Sequence, residues 1–235
     1  MNTEKARLDK MLHEKKISQD DYSILLQSLK RKSFFTKLHQ SLWLNPFQKI
    51  AGFKALILGI FILVMTSYLG IQAKLYYLGP LSAINAFALA KQNISHLFLF
   101  LLYQNMVNWL VLAVLFMIAT KILQKNKMRA IDFLGTVSLA QFPVLLTTAY
   151  TCLIRIFYPS LLDIDMSHGL QIHFTLYQYI CTIPFIVFIV WQIVLYFYAF
   201  KESSGLNGKK LWWGFLGSLI FVSMIAQPLT TLFMN

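Results

Sequence analysis

From Ile131 to Tyr158 the chain runs IDFLGTVSLAQFPVLLTTAYTCLIRIFY, 28 residues whose only charges, Asp132 and Arg155, stand near the ends. About 20 apolar residues carry a helix across roughly 30 Å of hydrocarbon, so this stretch is long enough to span a bilayer. Four further apolar segments of similar length flank it, two on each side, at about 55–73, 97–120, 176–200 and 211–234. Inside hydrocarbon every backbone amide must be satisfied within the protein, and helices of this length do so segment by segment. The expected fold is all-α: a polytopic membrane helical bundle of five transmembrane helices, preceded by a small cytoplasmic helical hairpin.

Composition agrees, with 57% hydrophobic and 13% charged residues, values typical of membrane rather than soluble chains. The formal net charge of +12 invites a nucleic-acid reading, which its distribution argues against. Eleven of the 21 Lys and Arg precede Ala55, four lie in 121–129 and three in 201–210. The intervening loops, 74–96 and 159–175, are poor in basic residues. This alternation is the positive-inside pattern: N-terminus cytoplasmic, C-terminus outside, with the lipid bilayer as the first partner and no nucleic acid. The first apolar run follows a long charged segment, so it reads as a retained anchor and not a cleaved signal. The expected location is a bacterial inner (cytoplasmic) membrane.

Residues 1–32 read as the hairpin. Leu8, Met11 and Leu12 share a helical face, Ile17 follows, and Tyr22, Leu25, Leu26 and Leu29 form a second apolar stripe. Ser18 opens the second helix as N-cap, with Asp20 and Asp21 in its first turn, although Asp21 stands where a capping box prefers Glu. Leu12, Ile17, Tyr22 and Leu25 are the candidate partner-binding residues. Residues 33–54, rich in Phe, Trp and Lys, form an amphipathic juxtamembrane segment suited to the headgroup layer. The five-span domain then occupies 55–235.

The spans are short of chemistry. A charge at the bilayer centre costs about 2.5 to 3.5 kcal/mol, and no Asp, Glu, Lys or His lies at that depth. Amides recur instead: Gln104, Asn105 and Asn108 in the second span, Gln141 before Pro143, Gln192, and Gln227 before Pro228. Asn105, Asn108 and Gln141 form the candidate intramembrane polar cluster, expected either to bond helix to helix or to line a polar path. Pro143, Pro184 and Pro228 are candidate kinks. The loop 74–96, with Tyr76, Tyr77 and Gly79-Pro80, is expected along the outer interface. Cys152 and Cys181 fall within the third and fourth spans, where a contact is conceivable. The outer loop holds Asp163, Asp165, His168 and His173 at spacings matching no established metal site. No nucleotide loop, nucleophile elbow or HExxH appears, so no enzyme, cofactor or metal is expected.

Two resemblances follow from these residues. Leu8 and Leu12, then Lys16-Ile17-Ser18-Gln19-Asp20-Asp21-Tyr22 and Leu25-Leu26 resemble a SHOCT-like hairpin. The chain departs from that pattern by Lys16 in its glycine position and by the N-terminal placement. Asn45-Pro46-Phe47, Ala130-Ile131-Asp132-Phe133-Leu134-Gly135 through Gln141-Phe142-Pro143, Trp191-Gln192-Ile193-Val194-Leu195, and Lys201-Glu202-Ser203-Ser204-Gly205-Leu206 resemble the Yip (Ypt/Rab-interacting protein) family of multipass membrane proteins in its bacterial form. That likeness covers about 40–235. It implies a non-enzymatic membrane protein that organises membrane or recruits protein partners, and the SHOCT-like resemblance implies self-association or partner binding through the hairpin. A small permease or channel subunit is the alternative.

Overall fold

The computed structural model describes residues 9–14, 17–19, 21–23, 25, 43–73, 75, 77, 79, 97–124, 128–158 and 176–231, with backbone only at 176–182 and 231. The chain divides after Pro46 into two units.

In the first unit, the described residues are helical at 9–13, 19, 21–23 and 25. The Asp21 amide donates to Ser18 Oγ at 3.0 Å, while Asp21 Oδ2 accepts from the Ser18 hydroxyl at 2.7 Å and from its backbone N–H at 3.4 Å. Asp21 thus completes a reciprocal capping box despite being one methylene shorter than Glu. The Tyr22 hydroxyl donates to Asp9 Oδ1 at 2.6 Å, joining the two helical stretches. That bond, followed by some desolvation, raises the Tyr22 pKa, because the phenolate would lose its donor and face a carboxylate. Leu12, Ile17 and Tyr22 are half-buried and Leu25 is exposed.

The second unit contains α1 (Gly52–Ala73), α2 (Leu97–Leu123), α3 (Ala130–Leu139), α4 (Phe142–Phe157), α5 (Leu176–Ser204) and α6 (Gly208–Thr231). With α3 and α4 counted as one span, five among the described residues are long and apolar enough to cross a membrane, the build of an integral membrane protein. The third span is the hub: 61% of its most apolar window is buried, against 28% to 39% for the others. It packs against α1, α2 and α5, while α6 rests mainly on α2. Outside, Phe53, Ile57, Phe61, Tyr68, Ile186, Val190 and Ile220 leave an apolar surface exposed, which suits lipid rather than water.

Close approach explains the hub. A Cβ at Gly135 would lie 2.5 Å from the Gly52 carbonyl oxygen and 3.0 Å from the Leu56 nitrogen, and one at Gly59 would collide with Ser138. Small residues let α1 and α3 meet nearly backbone to backbone, the usual means of helix association in lipid.

The prolines divide. At Pro143 the third span breaks: Gln141 N–H bonds to Ser138 O and Val144 N–H to Gln141 O, three residues back, and α4 starts afresh with Pro143 in its first turn. Lacking an N–H and crowding the carbonyl four residues back, proline ends the ladder there. Pro184 and Pro228 instead lie inside the continuous helices α5 and α6.

Candidate functional site

The three candidate polar residues are all buried, but they do not form one cluster. Asn105 and Asn108 belong to a network between α1, α2 and α4, and Gln141 to a separate one on α5. In the latter, Gln192 Nε2 donates to the Tyr196 hydroxyl at 2.8 Å and reaches Gln141 Oε1 at 3.4 Å. The break at Pro143 puts Gln141 in the turn between α3 and α4, and its amide serves α5 rather than α2.

The first network is organised by a residue outside every helix, Tyr77. After Ala73 the chain turns back on itself, with the Leu75 N–H donating to Gly70 O at 3.1 Å. Leu75 and Tyr77 are then buried among Ala73, Leu101, Val144 and Cys152. The expected interfacial position of this segment is therefore corrected: at Leu75 and Tyr77 it re-enters the bundle. Sequence hydropathy hid this, because Tyr76, Tyr77 and Gly79-Pro80 look like an interfacial turn.

Two side chains one helical turn apart on α2 hold the Tyr77 backbone. Gln104 Oε1 accepts the Tyr77 N–H at 2.9 Å, and Asn108 Nδ2 donates to the Tyr77 carbonyl at 3.0 Å. These bonds fix which way each amide is turned. They also meet the need of non-helical backbone in an apolar setting for a partner at both its N–H and C=O.

The Tyr77 ring reaches back along α1. Its hydroxyl lies 2.8 Å from Thr148 Oγ1 and 3.3 Å from Thr66 O. The phenol has one proton to place on Thr66 O or Thr148 Oγ1, and Thr148 one to place on Val144 O or the phenol oxygen. Thr66 stands seven residues before the end of α1, so the hydroxyl lies roughly 10 Å inside that end at 1.5 Å per residue. Gly70 makes room, since a Cβ there would stand 3.0 Å from the Tyr77 hydroxyl oxygen. Beside it, Asn105 Nδ2 donates to Ser67 Oγ at 2.8 Å, and Ser67 donates to Leu63 O.

Three buried polar atoms in this network have no hydrogen-bond partner among the described residues: Gln104 Nε2, Asn108 Oδ1 and Thr66 Oγ1. Each belongs to a residue already bonded to Tyr77 through another atom. The remaining hydroxyls, Thr147 and Thr151, bond back to their own helix. Cys152 Sγ donates to Leu69 O at 3.1 Å; Cys181 lies outside the described side chains. Asp163, Asp165, His168 and His173 are outside the described residues, among which no group of three metal-ligating side chains forms. Comparison with family models, curated proteins and solved structures finds no match to this chain.

Proposed function

We propose that this chain is a non-enzymatic, Yip-like integral membrane protein that organises membrane or recruits protein partners. In this reading it sits in a bacterial inner membrane with its N-terminus in the cytoplasm. The supporting observation is that Asn105, Asn108 and Gln141 make their bonds inside the bundle, to Ser67, the Tyr77 carbonyl and Gln192. Amides used in this way are structural ties between elements. Recognition then falls to the hairpin and to the basic ends of the spans, where Lys121, Arg129, Lys209 and Lys210 are exposed. Crosslinking and pull-down from native membrane, with the intact chain and with residues 1–32 removed, tests it. Partners that disappear with the hairpin support recruitment; unchanged partners, or none, overturn it.

A second reading, a small permease or channel subunit, is favoured by two particular observations. The central span is discontinuous at Gln141, and non-helical backbone at Tyr77 is buried in the bundle. Irregular backbone at membrane depth occurs where it is enclosed by protein or lines a cavity, and broken helices are typical of transporters. Alanine at both Asn105 and Asn108 separates the readings. Loss of folding alone marks structural ties; loss of a solute flux from a stable protein marks a path.

A further inference from the structure

The bundle carries unequal charge at its two ends. Where α1, α3 and α6 begin, Lys49, Lys54, Lys121, Arg129, Lys209 and Lys210 are exposed, and no ion pair among the described residues neutralises them. The described acids at that end are Asp132 and Glu202, whereas the other end has Arg155 as its one described charge. Packing draws Lys121, Lys209 and Lys210 together with Lys201. The last turns of α2 and α5 meet the first turns of α6 at Gly214, where a Cβ would lie 2.8 Å from Leu123 Cδ1 and 2.9 Å from Phe200 Cζ. Lys121 stands two residues before Leu123, Lys201 directly follows Phe200, and Lys209 and Lys210 precede Gly214 by five and four. At 1.5 Å per residue, all four leave their helices within roughly 8 Å of that contact along the axes. Lys201 Nζ lies over the Tyr198 ring at 5.9 Å, and the described acid beside it, Glu202, accepts from Gln48 Nε2 at 3.4 Å. Four positive charges thus stand beside one negative.

Apolar surface borders this patch. Ile122, Trp212 and Trp213 are 77%, 54% and 74% exposed next to it, and Trp212 is held against Phe197 at 4.8 Å between ring centres. Exposed tryptophan beside exposed lysine marks the level where hydrocarbon gives way to headgroups. The anions fixed at that level are lipid phosphates. A water-soluble acidic protein or a nucleic acid would reach the lysines from the aqueous side and leave the tryptophans uncovered. A phospholipid meets both, with its phosphate on the lysines and its acyl chains along Trp213 and Ile122. We propose that Lys121, Lys201, Lys209 and Lys210 form a binding site for the headgroup of an anionic glycerophospholipid, preferred by charge over a zwitterionic one. This rests on the reading in which the basic ends of the spans recognise partners, and it names lipid as the partner at this end.

Full-length protein immobilised in neutral detergent at low ionic strength is incubated with radiolabelled phosphatidylglycerol, against which unlabelled phosphatidylglycerol, phosphatidylcholine or sodium phosphate competes. Phosphatidylcholine is expected to compete at least about tenfold less well than phosphatidylglycerol, with the gap narrowing as salt is raised. Lys209→Gln with Lys210→Gln should weaken phosphatidylglycerol binding by at least about tenfold, at roughly fivefold per lysine. Lys209→Arg with Lys210→Arg, which keeps the charge, should retain it. Lys49→Gln with Lys54→Gln, at the same end but away from the Gly214 contact, should change it less than about twofold. If the glutamine pair at 209 and 210 loses the monodisperse peak in size-exclusion chromatography, Lys121→Gln alone, with roughly a fivefold loss expected, takes its place. Equal competition by the two lipids, or undiminished binding in the glutamine variants, overturns the site. The same loss from the Lys49 and Lys54 pair overturns it in favour of a diffuse positive surface, and phosphate competing as well as lipid overturns the lipid as ligand. Pull-down with residues 1–32 removed tests recruitment separately. Lipid preference without hairpin-dependent partners keeps the site and sinks recruitment, whereas such partners without lipid preference do the reverse.

Discussion

The two ends of the bundle are built on opposite principles. Where α1, α3 and α6 begin, the interior is apolar and tight: Phe116 stacks on Phe200 and Phe215 at 4.7 and 6.2 Å between ring centres, with Phe47, Phe133 and Leu211 in the same cluster. Glycines here bring α1 and α3 into backbone contact. Where α1 ends and α2 begins, amides and hydroxyls surround a tyrosine, and three polar atoms lack partners among the described residues. The first arrangement depends mainly on shape, with one hydroxyl pair, Thr136 and Ser203 at 2.8 Å, joining α3 to α5, and the second on hydrogen bonds. A bundle stabilised by dispersion and close approach at one end has the latitude to carry an imperfectly satisfied network at the other.

The sharpest way to break the comparison is at Gly135. Gly135→Leu sets a side chain against the backbone of α1 and should destabilise by about 3 kcal/mol or more, seen as loss of the monodisperse peak in size-exclusion chromatography. Gly217→Leu, where a Cβ meets nothing within 4 Å, should leave that peak in place. Asn108→Leu keeps side-chain volume but orphans the buried Tyr77 carbonyl, for an expected loss of about 1 to 3 kcal/mol in thermal unfolding. A neutral result would show that the clamp does not hold. Tyr77→Phe removes only the bonds to Thr148 and Thr66, so about 1 kcal/mol is expected.

The smallest effect contrasts Tyr77 with Tyr22, whose hydroxyl is bonded to Asp9 in an exposed setting. The Tyr22 pKa is raised in the folded hairpin. Its contribution is therefore fully present below the ordinary tyrosine value of 10.0 and disappears as pH rises through the elevated one. Amide hydrogen exchange in residues 9–25 should quicken over that alkaline range, and Tyr22→Phe should flatten the profile.

Much of the architecture was legible because a bilayer filters sequences by one-dimensional rules. The expected spans 55–73 and 97–120 fall inside α1 and α2, which extend three residues further at one end. Ser18 and Asp21 were readable as a cap because capping is local. Asn105 and Asn108 were legible as buried amides, yet their separation from Gln141 was not, since that depends on which helices adjoin and on the break at Pro143. Tyr77 was missed altogether, although Gln104, four residues before Asn108, was the available signal that α2 carries an amide face in search of a partner.

The apolar segments alone determined five membrane-length helices, because burying that many apolar side chains in lipid needs no knowledge of neighbours. Only the tertiary structure decided that Gly135 seats α1, that Gln141 serves α5, and that Tyr77 turns back to lie between Gln104, Asn108 and Thr148. Close packing and hydrogen bonding act over a few ångströms between residues far apart in the chain, and the folded arrangement sets which of them come within reach.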